Sequence, residues 1–161
     1  MLNFENIGDK FIQVVQTAEW EQLQEKYNNC NDIYVLGHGG NLAVADHAAV
    51  DMTRLSNGTK NAICPGSGVV ATSLINDSSF EQWMVQWLSC RTATRTKEQM
   101  KKSLVLGISS SGNSVDILKA LQWAADNGMQ IAMISSKDIP VEIRDLTKVL
   151  LGANYYHTAE V

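Results

Sequence analysis

The stretch that decides the fold is SLVLGISSSGNSVDILKALQWAADNGMQIAMIS, residues 103–135. It begins with an apolar, strand-like run (Ser103–Ile108), passes through a loop rich in serine, and continues as a helix-like segment that stops at Asn127-Gly128. A second apolar run, Met129–Ser135, closes the stretch. A strand, a helix and a second strand in this order predict a crossover that joins two parallel strands.

The same alternation continues on both sides of this stretch. Three further short runs, each followed or ended by glycine or proline, are predicted to be strands: Asp32–Gly37, Asn61–Cys64 and Thr147–Gly152. Strands that alternate with helices predict an α/β protein with a mostly parallel sheet and helices on both faces. Ligands of such sheets bind outside the carboxyl ends of the strands.

Three helices are predicted outside the deciding stretch. The first crosses Phe4–Tyr27, the second follows GHGGN and ends near Asn57-Gly58, and the third is SFEQWMVQWLSC. The core stripe of the second is Leu42, Ala45, Ala49 and Met52, and the third places Trp83, Trp87 and Cys90 on one side. The segment VVATSLI fits either a helix or a strand. Three lysines, Lys97, Lys101 and Lys102, are interpreted as part of a solvated loop.

The composition is that of an ordinary globular protein. The 161 residues carry a formal net charge of −4, and the three cysteines, Cys30, Cys64 and Cys90, have no paired spacing. Such thiols are typical of a reducing cytosol, and the N-terminus lacks a signal-peptide pattern. We therefore predict one domain over residues 1–161, located in the cytoplasm, with no membrane span and no nucleic acid partner.

The loop GISSSGNS is predicted to hold an anion. The start of the following helix offers free backbone N–H groups and a partial positive charge, and Gly112 lets the backbone approach a ligand closely. Hydroxyl donors come from Ser109, Ser110, Ser111 and Ser114. Such a loop can bind phosphate without a basic patch. The alternative is that Asn113 or Ser114 only caps the helix while the other serines are solvated.

The chain lacks the known nucleotide-binding and hydrolase motifs of glycine-rich and serine-rich loops. The chain has no GxxxxGK[ST] motif, and Leu42 stands where a third glycine of a dinucleotide fingerprint would be. The segment Gly107–Ser111 begins like a GxSxG motif but ends in Ser111 instead of glycine, so no GxSxG motif occurs. We therefore predict no nucleotide cofactor. A nucleotide-binding flavodoxin-like protein rests on the fold class alone and is the weakest alternative.

The predicted helix after GHGGN carries a second candidate site. His47 and Asp51 are four residues apart and share one face of this helix. An imidazole and a carboxylate one turn apart can ligate a divalent metal or place a base beside a substrate. The alternative is an ordinary surface His–Asp pair, since two ligands do not make a zinc site. At the start of the same helix, Asn41 is suited either to cap it or to bind a ligand hydroxyl.

Together these segments resemble the sugar isomerase (SIS) domain, and within it the phosphoheptose isomerases. GHGGNLAVADHAAVDMTRL is similar to the G-N-G-G-S…D-A-x-H-x-A-x-[DE] segment of that family, and LVLGISSSGNSVDILKALQWAADNGMQIAMIS to its strand, G-I-S-[TS]-S-G-N-S loop, helix and next strand. SLINDSSFEQWM resembles a third, weaker segment. The resemblance implies a three-layer α/β/α fold with a five-stranded parallel sheet, a cytoplasmic homo-oligomer (dimer or tetramer) and a sugar phosphate ligand.

The resemblance also implies roles for individual residues. Contacts to the phosphate and the sugar fall on Gly39, Gly40, Asn41, Asp77, Ser109, Ser110, Ser111, Asn113 and Ser114. His47 and Asp51 match a zinc-binding histidine and glutamate, and Asp51 also matches an acid/base residue. The implied reaction converts sedoheptulose 7-phosphate into an aldose phosphate through an enediol, a step in the synthesis of lipopolysaccharide heptose.

This sequence departs from the family at several positions. Asp51 is one methylene shorter than the usual glutamate, while Asn41 replaces a serine and His38 an asparagine. The family's last helix carries a glutamine and a histidine, but Ala159 matches the glutamine and the histidine would follow Val161. We therefore expect either that the sequence is cut short within this helix or that the chain is a naturally shortened relative. This departure favours a second hypothesis, a non-catalytic phosphosugar-binding or protein-interaction module like the relatives that act in replication initiation.

Overall fold

A computed structural model of the chain describes residues 6–66 and 68–154. Five strands form one sheet in which every neighbouring pair is parallel. The strands are β1 (Asp32–Leu36), β2 (Asn61–Ile63), β3 (Ser103–Ser109), β4 (Gln130–Ser135) and β5 (Thr147–Leu150). Their spatial order is β2-β1-β3-β4-β5. The predicted strands and the five-stranded α/β fold are therefore confirmed.

Helices cover both faces of this sheet. They are α1 (Ile7–Val14), α2 (Ala18–Asn29), α3 (Gly40–Leu55), α4 (Gly68–Asp77), α5 (Trp83–Thr92), α6 (Lys97–Lys101) and α7 (Val115–Asp126). One apolar core joins the sheet to α1, α2 and α3, and the other joins it to α4 through α7. No helix in the described ranges is long and apolar enough to cross a bilayer.

Strand β1 shows how the sequence builds the two cores. All five of its residues are buried. Ile33 and Val35 point into the core that contains α3, while Tyr34 and Leu36 point into the core that contains α7. Because side chains alternate along a strand, an apolar run without alternation is required when both faces of the sheet are covered.

The single helix predicted across Phe4–Tyr27 is two helices. Thr17 lies between them and acts as the N-cap of α2, with its hydroxyl accepting a hydrogen bond from the Trp20 N–H. An apolar stripe that continues on both sides of a cap hides the break, because periodicity alone does not record a change of direction. Phe4 lies outside the described residues.

Three other expectations are refined. The ambiguous segment VVATSLI is helical and forms most of α4. The lysine segment, predicted to be a solvated loop, is instead helical at Lys97–Lys101. Helix α6 begins with a capping box in which the side chains of Thr96 and Gln99 each bond the backbone of the other, a signal that is visible in the local sequence. In α5, Trp83 and Trp87 are buried, whereas Cys90, at the i, i+7 position from Trp83, is exposed near the end of the helix.

Candidate functional site

The candidate site lies where the strand order reverses, between β1 and β3. Leu36 pairs with Gly107 in the parallel ladder, so the loops that follow leave the same edge of the sheet side by side. After β1 the backbone continues into α3, and after β3 it continues into α7 on the opposite face of the sheet. Such a divergence opens a crevice at the carboxyl ends of the strands. Both predicted loops, GHGGN and GISSSGNS, meet at this crevice.

Three of the four predicted serine hydroxyls converge in the second loop. The Ser109 hydroxyl lies 2.9 Å from that of Ser114 and 3.4 Å from that of Ser111. The Ser111 hydroxyl also accepts the Asn113 N–H at 3.2 Å, which tightens the turn. Ser109 is buried, whereas Ser111 and Asn113 are exposed. The loop therefore presents a compact group of hydroxyls at the start of a helix.

The start of α7 has no side-chain cap. Ser114 is the N-cap residue by position, but its hydroxyl makes no capping hydrogen bond and lies against Ser109 instead. The first backbone N–H groups of this 12-residue helix thus keep their capacity to bind a ligand. The alternative interpretation, in which Asn113 or Ser114 only caps the helix, is not supported by these contacts.

Gly112 permits this loop to pack against the end of β4. Its φ is +69°, and a Cβ at this position would lie 2.8 Å from the Ser135 hydroxyl and about as close to the backbone oxygens of Lys137 and Asp138. A side chain is therefore excluded by both conformation and space. Residues 135–138 thus form a third polar loop at the same edge, which the sequence analysis did not identify as part of the site.

Asn41 joins the two predicted loops. It lies in the first turn of α3, where Gly39 with a φ of 55° takes the N-cap position and Gly40 is the first helical residue. The Asn41 amide donates to the Ser110 hydroxyl at 3.0 Å. Asn41 therefore does not cap α3, and it fixes the fourth serine at the crevice.

A histidine and a buried aspartate, neither included in the predicted site, also meet at this crevice. The His38 Nε2 lies 2.7 Å from the Asp116 Oδ2. The Trp83 indole N–H donates to the same oxygen at 2.8 Å. Asp116 sits in the first turn of α7 and is fully buried. These three residues come from the loop after β1, from α7 and from α5, so contacts across the sheet bring them together.

Aromatic rings cover one side of this histidine. The rings of His38 and Phe80 stack with centroids 5.6 Å apart and an interplanar angle of 24°. Trp83 lies 6.1 Å away in a tilted arrangement. Phe80 itself is half exposed. The connection between α4 and α5 thus reaches the crevice through an aromatic side chain that rests on the imidazole.

The predicted pair on α3 forms, but away from the crevice. The His47 Nε2 lies 3.2 Å from the Asp51 Oδ2, and the Arg54 guanidinium donates to the other carboxylate oxygen at 3.0 Å. Ten residues of helix separate Asp51 from Asn41, about 15 Å along the axis. The pair lies beside Tyr27 in a shallow hollow that contains neither predicted loop. Within one copy of the chain, Asp51 therefore does not lie near the serine loop.

The remaining predicted residues have less definite places. Asp77 is exposed at the end of α4, and Asn76 donates to its carboxylate at 3.3 Å. In the described part of the chain, no group of three His, Cys, Asp or Glu side chains is arranged to hold a metal. Ala159, which matches the glutamine of the family, lies outside the described residues.

The sequence contained one signal for the missed histidine. His38 occupies an asparagine position of the family, and Asp116 is an acidic residue in the first turn of a helix. Their contact spans 78 positions along the chain. Only the pairing of β1 with β3 makes it visible, because it places the two loops next to each other.

The comparisons with known proteins agree with the fold. A phosphoheptose isomerase of Helicobacter pylori is 31% identical over 120 residues, covering 72% of this chain and 59% of that protein. The structure of a phosphoheptose isomerase from Neisseria gonorrhoeae superimposes with a TM-score of 0.70 at 20% identity, covering 96% of this chain and 89% of that one. The sugar isomerase domain of a transcription factor from Sphaerobacter thermophilus matches with a TM-score of 0.61 at 19% identity, covering 90% and 70%. No protein-family model matches the chain.

Proposed function

We propose that the chain, which is similar in sequence to the phosphoheptose isomerases and shares the fold of a sugar isomerase (SIS) domain, is an aldose–ketose isomerase of a sugar phosphate. The chain spans about 59% of the length of the first relative described above. Sedoheptulose 7-phosphate is the substrate we propose, because the curated relatives are named for the heptose reaction.

One observation carries the phosphate part of this proposal. Three serine hydroxyls converge at the start of a helix whose own N-cap residue makes no capping bond. Unsatisfied N–H groups and the helix dipole favour an anion at this point. The net charge of the chain is −4, so binding by general electrostatic attraction is not an alternative source of affinity. A phosphate group supplies the acceptor oxygens that these donors require.

The isomerisation needs a base in addition to the phosphate contacts. Asp51 is the candidate by resemblance, yet it lies about 15 Å along α3 from the Asn41 end of the crevice. We therefore propose a homo-oligomer in which a second copy of the chain supplies the carboxylate. The face of α3 that carries Asp51 exposes apolar residues, with Val44 at 40% and Leu55 at 72% exposure, and such a face suits an interface.

Zinc stays a prediction for this chain. His47 and Asp51 are donors of the right chemistry, but they are two ligands where zinc takes four, and Arg54 already bonds one oxygen of Asp51. In the described residues of one chain the site does not fit the metal. No step proposed for the isomerisation runs through it.

The first experiment measures turnover. Purified protein is incubated with sedoheptulose 7-phosphate, with and without added zinc, and formation of the aldose phosphate is followed by chromatography. Product is expected, and loss of turnover in Asp51→Asn would support the carboxylate as the base. No product under either condition would contradict the isomerase proposal. Binding without turnover would instead favour the non-catalytic phosphosugar-binding module.

The second experiment measures binding without chemistry. Sugar phosphate should raise the melting temperature of the wild-type protein by mass action. The Ser111→Ala, Ser114→Ala double variant should lose most of this shift. Thr94→Ala is the matched control, since Thr94 is exposed and adjoins Arg95, which bonds Asp32 at the opposite edge of the sheet. Equal shifts of the melting temperature in all three proteins would show that the serine loop is not part of the binding site.

A further inference from the structure

We propose that His38 is an acid/base residue that exchanges protons with the oxygens of the bound sugar, and that Asp116 is the residue that positions it. This inference rests on the proposed isomerase function and deepens it. It assigns a second proton-transfer group to a crevice whose serines hold phosphate but move no proton. Three observations carry the inference: the hydrogen bonds of Asp116, the surroundings of the ring and the pairing of the two loops.

The hydrogen bonds of Asp116 fix which nitrogen of His38 carries a proton. Oδ2 of Asp116 receives both the Trp83 N–H and the His38 Nε2, while Oδ1 has no hydrogen-bond partner in the part of the chain that the structure describes. A fully buried carboxylate needs donors rather than further acceptors. His38 Nε2 therefore carries a proton, and the imidazole exchanges protons with a ligand through Nδ1.

The carboxylate that the ring contacts is fully buried. When Nδ1 also carries a proton, the imidazolium lies 2.7 Å from an Asp116 oxygen that is shielded from water. The first turn of α7 in turn favours the negative charge of Asp116. The ring can thus hold or release a proton at Nδ1 while Nε2 stays bonded, as the histidine of a general acid/base pair does.

The surroundings cover the His38 ring only in part. Phe80 stacks on the ring and Trp83 lies against it, yet 35% of the His38 side chain is exposed. Within residues 6–66 and 68–154, Nε2 is the ring nitrogen with a hydrogen-bond partner and Nδ1 has none. A side chain held this firmly on one nitrogen, with the other nitrogen free, is arranged to meet a ligand.

The loop pairing places this ring next to the phosphate cradle. Leu36 pairs with Gly107, so His38 and Ser109 each lie two residues beyond a paired position on neighbouring strands. Neighbouring strands are about 5 Å apart. The Asn41–Ser110 hydrogen bond holds the two loops together beyond that point. A phosphate on the serines therefore directs the rest of the sugar past the loop that carries His38.

The chemistry balances with two proton-transfer groups. As the base takes a proton from C1 of the ketose, the C1–H electrons form the C1–C2 double bond, and the carbonyl oxygen O2 takes the Nδ1 proton of His38. In the second half, the hydroxyl of C1 returns its proton to Nδ1, the C1–O1 bond becomes a carbonyl, and the base delivers its proton to C2. Both groups end in their starting states, so no further reactant is required.

The kinetic test compares substitutions with matched controls. His38→Gln should lower kcat by about 10²-fold, the ordinary contribution of a general acid/base residue, with little change in KM. Asp116→Asn should lower kcat less, by about tenfold, as loss of an orienting partner does. Asp126→Asn, the same change at the exposed far end of α7, is the control and should be unaffected. An unchanged kcat in His38→Gln would overturn the proposal.

A second test does not depend on turnover. Imidazole 15N resonances report the protonation of each nitrogen, so the wild-type spectrum should show Nε2 of His38 protonated. Sedoheptulose 7-phosphate should shift the Nδ1 resonance more than inorganic phosphate does, because only the sugar reaches the ring. If the wild type turns nothing over but this shift occurs, the isomerase proposal fails while contact of His38 with the sugar stands. If the wild type is active and neither ligand moves the resonance, the role of His38 is refuted.

Discussion

The two ends of strand β1 are both rich in polar side chains, and they differ in how those side chains are satisfied. At the amino end, Asp32 accepts hydrogen bonds from Arg95 at 2.8 Å and Asn61 at 3.0 Å. Next to it, the Lys60 ammonium donates to the backbone oxygens of Tyr27 and Cys30 at 2.6 and 2.8 Å. Here donors and acceptors match within the chain.

The carboxyl end leaves polar groups without such partners. The N-cap residue Ser114 caps nothing, and Oδ1 of Asp116 has no partner among the described residues. An unpaired buried polar group costs about 1–3 kcal/mol, so a fold keeps it only where something else is gained. The cluster at the amino end therefore stabilises the fold, whereas the cluster at the carboxyl end is arranged for a ligand. Polar composition alone does not distinguish the two clusters.

The largest effect is expected from a negative charge at the cradle. Ser111→Asp places a carboxylate among the serine hydroxyls, where it takes the donors meant for phosphate and repels the ligand. We expect the thermal shift by sugar phosphate to vanish, with affinity reduced by about 100-fold or more, since like charges in one site cost several kcal/mol. Ser111→Asn is the neutral control of the same size. Retained binding in the aspartate variant would mean that the phosphate binds elsewhere. The carboxyl end of β1 would then not be the ligand-binding end.

A methyl group at Gly112 should have the next largest effect. Gly112→Ala must adopt a φ of +69° and pushes its Cβ to 2.8 Å from the Ser135 hydroxyl, so the serine loop has to move. We expect about tenfold weaker phosphate binding and a lower melting temperature, because a displaced loop loses the alignment of its donors. Gly128→Ala is the control, since Gly128 has a similar φ of 76° but open space around its Cβ position. Equal affinities in the two variants would show that the loop tolerates displacement.

Much of this architecture follows from the sequence, for a physical reason. The five strands are short apolar runs, and glycine or proline follows three of them, so local composition defines them. The serine loop is also local, because its donors come from six consecutive positions and the helix that they precede. The break at Thr17 and the short helix α6 were missed where a cap, rather than a change in periodicity, sets the boundary.

The rest of the site depends on contacts that no local pattern contains. His38, Trp83 and Asp116 meet only after β1 and β3 pair and α5 packs on α7. Asp51 shows the opposite problem, because the i, i+4 spacing correctly predicts its pairing with His47 but says nothing of its distance from the serines. Spacing predicts neighbours within one helix, whereas a site at a switch point is made of neighbours between elements.

The amino end should respond in stability and not in binding. Asp32→Ala leaves the Arg95 guanidinium and the Asn61 amide without their acceptor and should cost about 1–3 kcal/mol in the free energy of unfolding. Urea denaturation measures this loss, and the thermal shift by sugar phosphate should equal that of the wild type. Weakened phosphate affinity in Asp32→Ala would mean that the two ends of β1 are coupled through the strand.

Lys60 should give a smaller loss of the same kind. Its ammonium bonds the carbonyl oxygens at the end of α2, where the helix dipole also favours a cation. Lys60→Met keeps the aliphatic chain and removes these bonds, and we expect a loss of about 1–2 kcal/mol in the free energy of unfolding. Lys97→Met, on the exposed start of α6, is the control and should leave the unfolding midpoint unchanged. A stable Lys60→Met variant would show that this cluster contributes less than its geometry indicates.

The smallest effect concerns two thiols that lie at the opposite ends of neighbouring strands. Burial raises the pKa of both Cys30, just before β1, and Cys64, just after β2, so neither thiol forms a reactive thiolate readily near neutral pH. Iodoacetamide should therefore label exposed Cys90 first, half-buried Cys64 more slowly and fully buried Cys30 last, as peptide mass spectrometry can follow. Raising the pH should accelerate Cys64 before Cys30, because Cys64 needs only the thiolate whereas Cys30 also needs the structure to open. Labelling of Cys30 as fast as Cys64 would mean that the amino end of β1 opens readily, and that its matched hydrogen bonds do not protect it.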